Sequence, residues 1–378
     1  MVIGTGSVNA TVSGGVRAIT LRNALLQALR NELKRDPTVA LIGEDVGGKK
    51  GGVFVVTKGL AEEFGNDRVE SSRLDEASLA GYAVGMAIAG IRVVVEFQFA
   101  GFSYAGLEHI IDHAARMRNR TRGKLFCPMV IRMPYGAGIQ SPEHHLESPE
   151  ALYAHVPGLR VVIPSTPKRA YGLMLAAIRN NDPVVFLEPT RMYDDRDDAP
   201  DDGIALPLDR CFIEREGSHV TLIAWGAMMR EARAATVLLE KEGVSVELID
   251  VATITPLDFD TIRTSVEKTG RAVIVHEAPM NGGYGAEIAA RLAEKAILSL
   301  QAPIMRVTAP DVIPPYTQRD ADGHPRSVIP RVLDVVKAIR DVVHFSETVQ
   351  TLSPTQELRE SSRLTGAVAE AARGPLPR

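Results

Sequence analysis

Four stretches of this chain carry residue types whose spacing could do chemistry. The first, Gly43-Glu-Asp-Val-Gly-Gly48-Lys49, satisfies most of a phosphate-loop pattern, but Lys50 stands where a Ser or Thr would meet magnesium. The β-branched run that follows, 53–57, opens a helix poorly, so the oriented N–H groups that cradle phosphate are not expected. A flexible turn or an interface loop is the reading left. The second, Gly101-Phe-Ser103-Tyr-Ala105, falls between a strand and a helix like a hydrolase nucleophile elbow, with Ala105 where the second glycine belongs. Just beyond it, His109 and His113 stand four apart with Asp112 between them, a spacing that could offer two metal ligands or simply a solvated or interfacial face.

The third stretch, Leu74-Asp-Glu76 followed by Ala77, Gly81, Gly85 and Ala89, is a helix with small residues recurring every four positions. Glycine inside a helix costs about 1 kcal/mol relative to alanine, so two on one stripe point to close packing against another element. Asp75 and Glu76 sit at the first turn, where the helix dipole by itself accounts for carboxylates. The fourth, Pro142-Glu-His144-His145-Leu-Glu-Ser-Pro149, lies in a loop after a strand, where α/β folds place binding residues. Paired histidines there could bind anions, shuttle protons, ligate a metal or face solvent.

The elements that must position these groups alternate short β-rich runs with helical stretches, the pattern of a mostly parallel sheet covered by helices. Strands are predicted at 39–42, 93–97, 128–132, 160–163 and 184–187, and helices at 20–35, 78–89, 104–118 and 168–180. Six aspartates between Asp194 and Asp202, with Pro200, Gly203 and Pro207, repel one another and break regular structure, which predicts a linker over 194–209. A second alternating series follows, with strands at 219–224, 245–251, 272–276 and 304–308, and predicts a smaller α/β domain over 210–345. Residues 1–16 and 346–378 are expected to be flexible tails.

Two cores suit a chain of 378 residues that is 45% hydrophobic and 24% charged. The formal net charge of −4 argues against non-specific nucleic-acid binding; the basic run Arg116, Arg118, Arg120, Arg122 and Lys124 reads as helix-end cations or a patch for an acidic partner. Cys127 and Cys211 form no C-x-x-C pair, which fits a reducing, cytoplasmic setting. The first residues lack a signal-peptide pattern, and no apolar run approaches membrane-spanning length.

Taken in order, several segments resemble the beta-subunit family of pyruvate and branched-chain 2-oxo acid dehydrogenases. They include Gly43-Glu-Asp-Val46, Leu74-Asp-Glu76 with the run from Ala80 to Gly85, Glu96-Phe-Gln98-Phe99, the run from Ser148 to His155, that from Pro157 to Pro164, that from Asn181 to Glu188, and Asp250 with Pro256-Leu-Asp258. The resemblance covers about residues 17–343. It implies a transketolase-like pyrimidine-binding domain over 17–193, then a transketolase C-terminal domain, in an α2β2 heterotetramer that works with a lipoyl acyltransferase core on a 2-oxo acid substrate.

By the same resemblance, Glu76 matches the glutamate that bonds the aminopyrimidine of thiamine diphosphate. A carboxylic acid that donates a proton there favours the imino form of the neighbouring amine, which can then deprotonate the thiazolium C2; that role requires burial to oppose the helix-terminus effect. Phe102 matches an aromatic against the pyrimidine, Gln98 lies in the same cofactor-facing segment, and His145 matches the family's active-site histidine. Leu146-Glu147 departs from the Ser-Gln that often follows that histidine, which changes its hydrogen-bond surroundings. Some relatives hold a structural K+, which the resemblance puts at backbone carbonyls around Cys127, Met129, Val130, Ala177, Asn180 and Asp182. The Gly-Asp-Gly that anchors Mg2+ and diphosphate in thiamine enzymes is absent here, so the resemblance assigns Mg2+ to the alpha subunit. Against this stand two other readings: a serine or metal hydrolase built on Ser103 or on His109 and His113, and a catalytically silent assembly subunit.

Overall fold

The structure, a computed structural model, describes residues 18–198, 201–316 and 328–345. The two tails expected at 1–16 and 346–378 lie outside these residues.

The first sheet has seven strands in the order Thr253–Thr255, Arg160–Val162, Val184–Pro189, Met129–Tyr135, Arg92–Glu96, Val39–Gly43 and Val69–Ser71. All pair in parallel except Thr253–Thr255, which runs antiparallel to Arg160–Val162. Its central strands are mostly apolar and buried because both faces are covered, with Glu96, Arg132 and Glu188 as charged exceptions near their ends. Alternate side chains enter different cores: Val93, Val95 and Ile131 pack beneath the Glu76–Ile88 helix, while Val94 and Val130 meet the Leu21–Arg35 and Pro167–Arg179 helices. Thr20 and Thr166 cap those last two helices through their hydroxyls.

The second sheet has the order Met305–Ala309, Ala272–Pro279, Val220–Ala224, Val246–Asp250 and Phe212–Arg215, antiparallel only at Phe212–Arg215. The edge strand Thr253–Thr255 leaves this second unit and completes the first sheet, and Ile223, Ile249 and Ile274 share one core with Ile131 and Val95. The architecture is therefore the predicted one: two mostly parallel sheets, covered by helices, in series.

Two local expectations were not met. The stretch 104–118 is no single helix but a 3-10 turn at Ala100–Gly106, a π-helix at His109–Ala114 and an α-turn at Met117–Arg120. Tertiary approach overrides the helical pattern there: a Cβ on Gly106 would fall 2.7 Å from the Ala80 Cβ, and Gly158 lies directly against the Ala115 carbonyl. The acidic stretch after Asp194 also contains a strand, Arg196–Asp198, paired antiparallel with Ala18–Thr20. Its repulsion is relieved by cations and an amide from other elements: Arg22 pairs with Asp194, Arg230 with Asp195 at 2.9 Å, and Asn31 bonds Asp201.

Candidate active site

The site forms where the first-domain strands end. Asp75 and Glu76, adjacent in sequence, have different surroundings. Asp75 is the N-cap of the Glu76–Ile88 helix, accepting from the Ser78 amide at 3.1 Å and from its hydroxyl at 2.5 Å, bonds that hold its carboxyl below the usual range. Glu76, the first helical residue, is half-buried and does not cap.

Close behind Glu76 stands Glu44, from the turn after Val39–Gly43. It is 3% exposed, and neither carboxylate oxygen has a hydrogen-bond partner. Burial first, and the Glu76 charge second, push its pKa up to about 7. Sequence reading missed Glu44 because its loop was weighed as a phosphate cradle. That loop in fact turns back without opening a helix at this point, and Lys50 pairs with Asp45 at 3.1 Å.

Behind Glu44 lies a buried ion network. Arg132, 1% exposed, grips Glu188 through Nε at 2.7 Å and a terminal nitrogen at 2.6 Å, and also pairs with Glu96. The Tyr193 hydroxyl donates to Glu188 at 2.6 Å. One guanidinium serves two carboxylates, so burial wins at Glu96 and raises it to about 7 in spite of Arg132.

Phe102 sits in the 3-10 turn whose Gly106 touches the backbone carbonyl of Glu76, a position where a Cβ would stand at 3.0 Å. This packing sets the turn that carries Phe102 against the start of the glycine helix. Phe102 in turn meets the histidine loop: its ring lies 5.1 Å from that of His145 and 5.8 Å from that of His144. Phe99, which the sequence reading did not single out, abuts His145 edge-on at 4.3 Å. Burial, then the neighbouring His144, lowers the His145 pKa, so a neutral ring with an unpartnered Nδ1 stands against this aromatic wall. Gln98 is half-buried at the head of the same segment. Leu146 is 1% exposed and packs into the core of the second sheet, with Val220 and Leu222, while the Glu147 carboxylate accepts from Tyr104 at 3.3 Å. Phe102 and His145 are thus in ring contact, and the turn that carries Phe102 packs through Gly106 on the start of the Glu76–Ile88 helix, with Gln98 on the segment leading into that turn.

The hydrolase readings lose their geometry. The Ser103 hydroxyl is fully buried, bonded to the Ala100 carbonyl and the Tyr153 hydroxyl rather than to a base. His109 covers Gly81, whose added Cβ would lie 3.1 Å from the ring, His113 faces Arg120 at 3.3 Å, and Asp112 pairs with Arg116 at 3.0 Å. The small-residue stripe is therefore filled at Gly81 from within the chain and open at Gly85. Among the described residues no three His, Cys, Asp or Glu side chains gather to hold a metal ion.

The carbonyls proposed for K+ are partly together, with Cys127 close enough to Asp182 to feel its charge. The cation in this region is an arginine, however: Arg92 donates to the Asn180 carbonyl at 2.9 Å and to that of Ile178 at 3.1 Å, while Arg118 and Arg160 bracket the Asp182 carboxylate. The Cys127 and Ala177 carbonyls already accept from Met129 and Asn180 amides.

The family model for the transketolase pyrimidine-binding domain matches residues 17–195, and that for the transketolase C-terminal domain matches 209–323. The chain is 44% identical over 328 residues to the pyruvate dehydrogenase E1 component subunit beta of Bacillus subtilis, covering 86% of this chain and 99% of the relative. The same figures hold for the subunit of that name from Staphylococcus aureus. Among solved structures, a split-gene transketolase described as an inactive beta4 tetramer superposes with a TM-score of 0.69 at 22% identity, over 86% of this chain and 98% of that one. The chain belongs to the beta-subunit family of thiamine-diphosphate-dependent 2-oxo acid dehydrogenases, with the transketolase-like two-domain fold. No helix among the described residues is long and apolar enough to cross a membrane.

Proposed function

We propose that this chain is the beta subunit of a pyruvate-oxidising dehydrogenase component, active with an alpha subunit in an α2β2 heterotetramer that passes acyl groups to a lipoyl acyltransferase core. The observation that carries this reading is the 3-10 turn of Phe102, which packs through Gly106 on the Glu76 backbone and sets the Phe102 ring 5.1 Å from that of His145. A branched-chain 2-oxo acid is the second substrate reading; the names of the relatives favour pyruvate. A cytoplasmic setting agrees with two cysteines that form no disulfide.

The residues present fit the aminopyrimidine end of thiamine diphosphate: a carboxyl at a helix start, a half-buried phenyl ring on the turn packed against that helix start and the buried Glu44 carboxyl behind it. When bound, the coenzyme supplies a nucleophilic carbon for attack on the substrate's 2-oxo group. Glu76 would bond the pyrimidine ring nitrogen, and Phe102 with Gln98 would orient the ring and exclude water. His145, neutral and with Nδ1 free, is placed to accept or return a proton near the substrate carboxylate. The Mg2+ and diphosphate ligands come from the alpha subunit. Around Glu76 the surface is open and apolar, with Leu74 78% and Tyr82 54% exposed beside bare Gly85, which is the face such a subunit would cover.

The test is co-expression with a candidate alpha subunit, then a panel of 2-oxo acids with an artificial electron acceptor. Turnover of pyruvate that falls at least about a hundredfold in Glu76→Gln, with assembly intact, is the expected result. A flat panel, or full turnover by the Gln variant, sinks the enzymatic reading and leaves the assembly subunit.

A further inference from the structure

Gly101 is the point at which the Phe102 turn meets the histidine loop. A Cβ built on it would stand 2.3 Å from the His144 carbonyl oxygen and 3.2 Å from the Glu147 Cγ, whereas real Cβ atoms essentially never come within 3.0 Å of a neighbour. Backbone conformation does not demand this glycine, since its φ lies outside the left-handed region. The demand is for room: the His144 carbonyl occupies the space that a side chain would fill.

The floor under that carbonyl is fixed. Ala100 and Ser103 are buried, the Ser103 hydroxyl bonds the Ala100 carbonyl and the Tyr153 hydroxyl, and the Phe102 amide donates to the Phe99 carbonyl at 3.1 Å. At the far end of the turn a Cβ on Gly106 would stand 2.7 Å from that of Ala80, so the turn has nowhere to retreat. The loop above it is the yielding side. Glu143 and His144 are exposed, and the 3-10 turn Glu143–His145 is held by two hydrogen bonds of 2.9 Å, from the His145 amide to Pro142 and from the Leu146 amide to Glu143. The carbonyl resting on Gly101 belongs to the planar peptide whose nitrogen is that of His145, so its direction sets where the His145 ring leaves the backbone. That ring stands edge-on to Phe99 at 4.3 Å and lies 5.1 Å from Phe102, two neighbours carried by the same segment as Gly101.

We propose that Gly101 is a positioning residue for His145: its missing side chain seats the His144–His145 peptide on the Phe102 turn and so fixes the histidine ring against the aromatic wall. In Gly101→Ala the His144 oxygen must withdraw from 2.3 Å to at least 3.0 Å. Because the turn cannot yield, the peptide tilts and carries the ring away from Phe99 and Phe102. A displacement approaching 1 Å at a reacting group costs up to about a hundredfold in rate. The seating stands on packing alone; its effect on turnover rests on the function proposed above.

NMR of the histidine rings in the full chain tests the seating, because a ring held beside two phenyl groups takes a chemical shift from them. The Hε1 signal of His145, identified by its loss in His145→Gln and read at alkaline pH where the ring is neutral, should shift in Gly101→Ala. An unmoved signal overturns the proposal. Glu147→Ala separates the two contacts: the signal should stay displaced in the double variant Gly101→Ala/Glu147→Ala, and its return to the wild-type position would show that the Glu147 side chain, not the His144 peptide, was the obstacle. Should Gly101→Ala not fold, the wild type decides, since an NOE between Gly101 Hα and Glu147 Hγ must be present and its absence refutes the seating. In the assembled enzyme Gly101→Ala should lower kcat for pyruvate by about ten- to a hundredfold with KM within about twofold. Wild-type kcat in that variant overturns the positioning role. If the wild-type enzyme turns over no 2-oxo acid, the functional reading fails while the ring signal still decides the seating.

Discussion

The unbonded carboxyl of Glu44 lies behind Glu76, near enough that the charge of one raises the proton affinity of the other. Two acids of one site therefore differ in setting, one at the half-buried start of a helix and one enclosed by the end of a strand.

The Glu44 proton should be visible in the pH dependence of stability. Its pKa is raised from 4.5 to about 7, so the folded chain keeps a proton that the unfolded chain releases. The stabilisation is present below about 4.5 and lost as pH rises through about 7. Glu44→Gln should remove this dependence and gain on the order of 2 kcal/mol over wild type above pH 7. Urea midpoints on both sides of neutrality measure it; parallel pH profiles for the two proteins would refute it.

Arg132 holds two carboxylates that have no route to water. Arg132→Gln leaves Glu96 and Glu188 facing each other across the first sheet, and the expected loss is about 3–5 kcal/mol. Acid should partly rescue the variant, because protonating Glu96 removes one of the repelling charges. Denaturation at neutral and mildly acidic pH tests this, and an unchanged midpoint excludes it.

Leu146 anchors the histidine loop in the second-domain core. Leu146→Ala should cost about 2–4 kcal/mol in stability. In the assembled enzyme the same change should lower kcat more than it raises KM, since His145 is displaced while the aromatic wall remains. Equal loss in both terms would show that the leucine only stabilises the fold.

Much of the architecture was legible in the residues themselves. Apolar β-branched runs separated by helical periods specify a parallel sheet with both faces covered, because no other arrangement removes those side chains from water. A resemblance spread over many short segments singled out Glu76, Phe102 and His145 as site candidates. What sequence could not decide was proximity. The 104–118 helix breaks because Gly106 and Gly158 admit other backbone where a helix would otherwise continue, a demand set by residues tens of positions away. Glu44 looks like an ordinary surface acid in one dimension. Only the folded chain encloses it, since burial is a property of everything packed around a group and not of the group's neighbours in sequence.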